Sequence, residues 1–200
     1  VTAKLFQHKS LSPVEITKSA AEHFALEERP FPNKGLTITP MVHAVRNLDM
    51  EPLRVDVNHN EYVLKSSIYA YLTYGIPIIL VIDLYDTDSE GENKYIGSHA
   101  VVVTGYRLKS NTEESSPNDK LGLVSSNISR IYVHDDQIGP FAQMEIDREK
   151  IRIKSGDETI EAIALKTEWE YQVVPIIILV PLYHKIRIPF ELNHWFQKKK

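Results

Sequence analysis

Two apolar runs separated by a short acidic segment constrain the fold of this chain most strongly. Residues 76–85 are almost all apolar, which predicts a central β-strand, and residues 98–108 form a second strand-like run. No helical pattern lies between them, which argues against a fold that alternates strands with helices. The acidic residues at 86–94 lack the bidentate acid that closes a calcium-binding loop, so we expect a solvated loop there.

Further strands are predicted downstream and one upstream. They are expected at residues 53–57, 131–134, 150–154, 159–165 and 171–183. Residues 150–165 form a hairpin pattern, and Pro175 favours an edge strand or a bulge in the last strand. Residues 109–127 are polar and rich in serine and asparagine, which predicts a loop insertion.

Three helices are predicted in the first part of the chain, each marked by a capping residue before an apolar face. Their signals are a capping box at Ser12 and Glu15 for a helix to about residue 27, a cap with proline at Thr39 and Pro40, and a cap at Asn58 or Asn60 for a helix that ends at Gly75. The predicted fold class is therefore α+β, with N-terminal helices followed by a mostly antiparallel sheet. We expect one domain over residues 1–184, mainly helical to 75 and mainly strands from 76, with a C-terminal tail at 185–200.

Composition excludes several classes of protein. The chain has 200 residues, a net charge of −4 and no cysteine. A negative charge argues against broad nucleic-acid binding, and the missing cysteines exclude disulfides, cysteine-based zinc sites and a thiol nucleophile within this sequence. We expect no cofactor and no metal. The longest apolar run, at 173–182, is too short to span a bilayer, and no signal peptide is evident, so we expect no membrane insertion and a cytoplasmic location.

One histidine and one carboxylate form the candidate site. His99 opens the second strand and shares a face with Val101 and Val103, while Asp135 ends the strand at 131–134. If the two strands are neighbours, Asp135 can accept the Nδ1 proton of His99 and leave Nε2 free to act as a base. The alternative is a packed core histidine beside an ordinary turn at Asp135 and Asp136, and the residues alone favour that alternative.

Three segments occur in an order that resembles a known family. They are Gly75-Ile-Pro77, Ser98-His-Ala-Val-Val-Val-Thr-Gly-Tyr106 and Val133-His-Asp-Asp-Gln-Ile-Gly139. Their order resembles that in papain-like cysteine peptidases of the bacteriocin-processing (double-glycine leader peptidase) type, and the likeness covers roughly residues 10 to 140. The resemblance implies a papain-like fold, peptide-bond hydrolysis, a peptide or protein as substrate or partner, His99 as the general base and Asp135 as its orienting acid.

The chain departs from that family at the nucleophile. The expected pair of an oxyanion-hole glutamine and a cysteine is not recognisable, because no cysteine follows Gln7, and Asp136 stands where proline is common. Three interpretations follow. The chain is a peptidase whose cysteine segment precedes Val1, or a catalytically inactive domain that binds a peptide or protein, or a structural interaction module.

Overall fold

A computed structural model describes residues 11–21, 37–89, 91–109, 123–155 and 158–183, apart from the side chains of 21, 147–149 and 155. These residues belong to two compact units. The first unit contains residues 11–21, 37–53 and 181–183, and the second contains the described residues from 54 to 180.

The first unit contains two short helices. Helix α1 is Pro13–Ala21 and helix α2 is Ile38–Asn47. The predicted capping box is confirmed, because the Ser12 backbone N–H donates to Glu15 Oε2 (2.7 Å) and the Glu15 N–H donates to Ser12 Oγ (3.3 Å). The α2 cap is Thr37 rather than Thr39, and the part of the first predicted helix beyond residue 21 lies outside the described residues.

Within the described residues, seven strands form one sheet. They are β1 Glu51–Asp56, β2 Ile78–Thr87, β3 Asn93–Leu108, β4 Ile128–Asp135, β5 Gly139–Ser155, β6 Glu158–Lys166 and β7 Gln172–Leu182. Their order is β1-β7-β2-β3-β4-β5-β6, and a further pairing of β6 with β7 joins the far end of that order back to its second strand. The pairings of β2 through β7 are antiparallel except for one contact between β3 and β5.

The predicted α+β, papain-like fold class was wrong. The structure is dominated by strands of up to 17 residues, whereas its three described α-helices have only 9, 10 and 13 residues. The helices also do not all precede the sheet, since α3 (Glu61–Thr73) follows β1. The amphipathic patterns in the first part of the sequence are too short for long helices, while the β-branched runs that follow extend farther than predicted.

Strand β5 accounts for most of the strand length that the sequence did not predict. Residues 139–149 received no strand prediction, although Ala142, Met144 and Ile146 are buried and alternate with exposed polar positions. This period of two is the signature of a half-buried strand and was readable in the sequence. The glycine and proline at 139 and 140 obscured it, because such residues usually mark a break.

Of the two alternatives predicted for Pro175 in β7, an edge strand or a bulge, only the bulge is confirmed. Pro175 does not lie on an edge, because β7 runs between β1 and β2. It does lie at a bulge, since the register with β2 shifts between Ile82, which faces Pro175, and Val81, which faces Ile177. At this bulge, the backbone carbonyl of Ile176 accepts a hydrogen bond from the Val57 N–H (2.8 Å). Proline is tolerated inside this sheet because the local ladder is already interrupted.

Helix α3 packs beside the sheet within the second unit. Asn60 is its N-cap and accepts hydrogen bonds from the backbone N–H groups of Tyr62 and Val63, which settles the predicted choice between Asn58 and Asn60. Gly75, with φ of +71°, follows its last turn as predicted. None of the helices in the described ranges is long and apolar enough to cross a bilayer.

Candidate functional site

His99 lies on β3 with its side chain toward the buried face of the sheet. It is paired with Ile82 of β2, and its own face continues into Val101 and Val103, both of which are buried. Only 13% of the imidazole side chain is exposed. Strand β3 also pairs with β4, so the condition under which Asp135 can reach His99 is met.

Asp135 ends β4 with a fully buried side chain. Its Oδ1 accepts hydrogen bonds from the backbone N–H groups of Gln137 (2.7 Å) and Ile138 (3.1 Å) in the turn to β5. These two bonds fix the carboxylate in one orientation, as in other turns that begin with aspartate. The second oxygen, Oδ2, points instead toward His99.

The structure brings His99 and Asp135 together, but through the other ring nitrogen. Nε2 of His99 lies 3.3 Å from Asp135 Oδ2 and 3.3 Å from Oδ1 of Asp136, whereas the sequence predicts Nδ1 toward the acid. Nε2 is therefore not free to serve as the base, because two carboxylates face it. The catalytic role assigned to this pair stays a prediction.

The three side chains differ in their exposure. The His99 and Asp135 side chains are buried, whereas 81% of the Asp136 side chain is exposed. One ligand atom from each lies within 4.8 Å of the others, which is close enough to bind one metal ion. We refer to His99, Asp135 and Asp136 as the triad.

Trp169 covers one side of the imidazole. Its ring meets the His99 ring edge to face, with centroids 5.4 Å apart. It comes from the segment between β6 and β7, where its backbone N–H donates to Thr167 Oγ1 (3.0 Å). Sequence reasoning missed Trp169, although a tryptophan flanked by two glutamates in a short connection was a usable signal for a residue with a specific contact.

A second carboxylate cluster occupies the opposite face of β2 and β3. Asp83 is paired with Ser98, whose hydroxyl donates to Asp83 Oδ1 (2.6 Å), and the Tyr95 hydroxyl lies 2.9 Å from Ser98 Oγ. Burial raises the pKa of Asp83, while the Ser98 hydrogen bond and the nearby His59 lower it to a smaller extent. We refer to Asp83, Ser98 and Tyr95 as the serine cluster, which sequence reasoning also missed.

Lysine side chains form ion pairs with the carboxylates of the acidic loop. Asp88 pairs with Lys94 (2.9 Å), and Glu92 pairs with Lys154 (2.7 Å). The hydrogen bond that the Lys94 amine donates to Asp88 raises the pKa of that amine. These contacts fit the predicted solvated loop in its middle part, whereas residues 86–87 and 93–94 of the predicted loop are paired strand residues of β2 and β3. Glu90, which belongs to the same run, lies outside the described residues.

An apolar surface lies on the outer face of β3, β4 and β5. Val102 is paired with His134, and the His134 ring meets the Phe141 ring edge to face at 5.1 Å. Phe141 is 67% exposed and has a φ of +64°, a conformation that bulky residues rarely adopt. A bulge causes this, because Val133 faces Ala142 and Asp135 faces Gly139, which leaves two β5 residues opposite His134. We refer to Val102, His134 and Phe141 as the outer patch.

No protein-family model, no curated protein and no solved structure matches this chain, so its chemistry rests on the geometry of the triad, the serine cluster and the outer patch.

Proposed function

We propose that this domain binds a peptide or protein partner through the outer patch. The observation that carries the proposal is Phe141, which is held largely exposed in a left-handed backbone conformation. Such a conformation costs of order 1–3 kcal/mol, and residues held in this way cluster at binding and catalytic sites. Glycine would meet the same backbone requirement without strain, so an aromatic side chain at this position indicates a use for the ring.

The chemistry of the outer patch favours an apolar side chain on the partner. Phe141 and Val102 present exposed carbon, and the His134 ring supports the Phe141 ring from the side. Aromatic residues supply much of the binding energy at protein interfaces because they bury a large area at a low cost in conformational entropy. A partner segment with an aromatic or branched aliphatic residue at its centre fits this surface. The proposal includes a cytoplasmic location and no nucleic-acid partner, on the sequence grounds given above.

Peptide-bond hydrolysis has weaker support. A cysteine peptidase needs a thiolate, and this sequence contains no cysteine. The ring nitrogen expected to act as the base faces Asp135 and Asp136. The contact between His99 and Asp135 is the observation in favour of hydrolysis, which stays a prediction and would require a nucleophile from outside this sequence.

Selection from a displayed peptide library tests the proposal. Peptides enriched on the wild-type chain are synthesised, and their dissociation constants are measured by calorimetry against wild type and Phe141→Ala. We expect binding to weaken about tenfold or more in the variant, as for other aromatic anchors at an interface. Tyr74→Ala is the matched control, because Tyr74 is 82% exposed and lies at the end of α3. Failure to enrich any peptide, or equal binding by Phe141→Ala and wild type, would contradict the proposal.

A further inference from the structure

We propose that the triad of His99, Asp135 and Asp136 is a binding site for a divalent transition-metal ion, with Zn²⁺ as the first candidate. The inference does not depend on the outer patch, because the triad faces the buried side of the sheet at His99 and Asp135. Four observations support it: unpaired buried atoms, the spacing of the ligands, the fixed orientation of Asp135 and the type of ligand atoms.

Two buried polar atoms of the triad lack partners. Among the described residues, neither His99 Nε2 nor Asp135 Oδ2 has a hydrogen-bond partner, although the two atoms lie 3.3 Å apart. A buried polar group without a hydrogen bond costs about 1–3 kcal/mol. A metal ion between the two atoms would remove that cost for both, since each would donate a lone pair to the ion.

The direction of the imidazole favours an ion over a simple ion pair. A protonated ring paired with Asp135 would direct its Nε2–H at one oxygen. The Nε2–H direction meets neither carboxylate with hydrogen-bond geometry, even though Asp135 Oδ2 and Asp136 Oδ1 are both 3.3 Å away. The buried Nε2 and Oδ2 atoms therefore lie close together without a hydrogen bond between them, and an ion bound to both would satisfy them.

The spacing of the ligand atoms suits a tetrahedral ion. Nitrogen and carboxylate ligands bind Zn²⁺ at about 2.0–2.2 Å, so two of them in tetrahedral geometry lie about 3.4 Å apart. The separations from His99 Nε2 to the two carboxylate oxygens are both 3.3 Å. The three atoms already lie within 4.8 Å of one another, and the Asp136 side chain is exposed and so is free to adjust to an ion.

The least mobile ligand is held by the backbone. Both hydrogen bonds to Asp135 go to Oδ1, from the N–H groups of Gln137 and Ile138, which leaves Oδ2 for a ligand. Carboxylate ligands in metal sites are commonly oriented by such outer hydrogen bonds, and losing them weakens metal binding 10–100-fold. Trp169 packs against the His99 ring and restricts its rotation in the same way.

The ligand set selects the class of ion. One imidazole nitrogen with two carboxylate oxygens suits Zn²⁺, Mn²⁺ or Co²⁺, whereas Ca²⁺ and Mg²⁺ prefer oxygen ligands alone. Three protein ligands leave at least one coordination position for water or another molecule. We therefore expect Zn²⁺ to bind more tightly than Ca²⁺.

Titration of the full chain with ZnCl₂ tests the site. The chain is first treated with EDTA and dialysed, and heat is then measured in wild type, Asp136→Asn and Asp135→Asn. We expect one Zn²⁺ per chain in wild type, binding weakened about tenfold or more in Asp136→Asn, and no binding in Asp135→Asn. Asp136 is exposed, so its variant reports on the site even where Asp135→Asn fails to fold.

Tryptophan fluorescence locates the ion. The chain has two tryptophans, so Trp195→Phe leaves Trp169 as the reporter, and Co²⁺ bound at His99 is expected to quench it. Asp86→Asn is the matched control for binding by exposed carboxylates, because Asp86 is an exposed residue near the end of β2, and it should leave both titration and quenching unchanged. The proposal is overturned by no Zn²⁺ binding in wild type, by equal binding in Asp136→Asn, or by a loss of binding in Asp86→Asn.

Discussion

Asp135 and Asp83 end up in very different surroundings, although both lie on strands that pair with β3. Asp83 meets Ser98 directly across two paired strands, and the hydroxyl of Ser98 donates to it. Asp135 lies at the start of a bulged turn, where two backbone N–H groups bond to one oxygen and the other oxygen is left without a hydrogen bond. Only Asp135 therefore retains a buried oxygen available to a ligand.

The difference between these regions shows how local backbone geometry sets the use of a carboxylate. In the serine cluster, regular pairing brings a donor from the neighbouring strand, so the carboxylate is satisfied within the protein. After the β4–β5 turn, Phe141 of β5 has a strained positive φ. At the turn, His99 of β3 lies beside Asp135 and Asp136 without a hydrogen bond between His99 Nε2 and either carboxylate. A satisfied polar group stabilises the fold, whereas an unsatisfied buried group marks a place where another molecule or ion can bind.

Removing each carboxylate in turn should give the largest contrast in stability. We expect Asp135→Ala to lower the free energy of unfolding by about 2–3 kcal/mol, because it leaves the N–H groups of Gln137 and Ile138 without their acceptor. Asp83→Ala should lower it less, since Asp83 is only half-buried. Urea unfolding in EDTA measures both values without any metal contribution. An equal or larger loss in Asp83→Ala would remove the distinction between the two regions.

The backbone strain at Phe141 can be tested with two substitutions at that position. Phe141→Gly should be more stable than Phe141→Ala by about 1 kcal/mol, because only glycine adopts a positive φ without a steric cost. Thermal unfolding of the two variants isolates the strain, since both lack the aromatic ring. If Phe141→Ala is more stable than Phe141→Gly, the backbone at residue 141 is not strained, and the case for the outer patch is weaker.

The smallest effect should appear in the pH dependence of the serine cluster. Burial raises the pKa of Asp83 in the folded state, so the folded chain binds more protons than the unfolded chain between the two pKa values. That contribution makes the free energy of unfolding fall as pH rises from about 4 through the folded-state pKa. Asp83→Asn should remove the fall, so the variant gains stability relative to wild type as pH rises.

Urea unfolding of wild type and Asp83→Asn between about pH 3.5 and 7 measures this difference. Asp86→Asn, which removes an exposed carboxylate from the same strand, is the control and should keep the wild-type pH profile. A difference between wild type and Asp83→Asn that does not change with pH would contradict the role of burial at Asp83.

Local signals in the sequence were sufficient for several elements and for one contact. The capping box at Ser12 and Glu15 depends on residues three apart, so the sequence predicts it directly, and the cap of α3 was narrowed to Asn58 or Asn60 in the same way. The pairing of β3 with β4 was left open by the sequence, although consecutive strands do tend to pair. The fold class did not follow, since it depends on how far each strand extends and which distant strands pair.

The sequence by itself determined that His99 and Asp135 lie on two apolar strands, with Asp135 at the end of its strand. Only the tertiary structure decided that Nε2 faces two carboxylates, that Trp169 packs on the ring, and that Asp83 rather than Asp135 meets a serine. The physical reason is register: a shift of one residue moves every side chain of a strand to the other face, and the bulges that set register arise from pairing between distant segments. The triad also depends on tertiary structure, because it forms only where β3 and the β4–β5 turn meet.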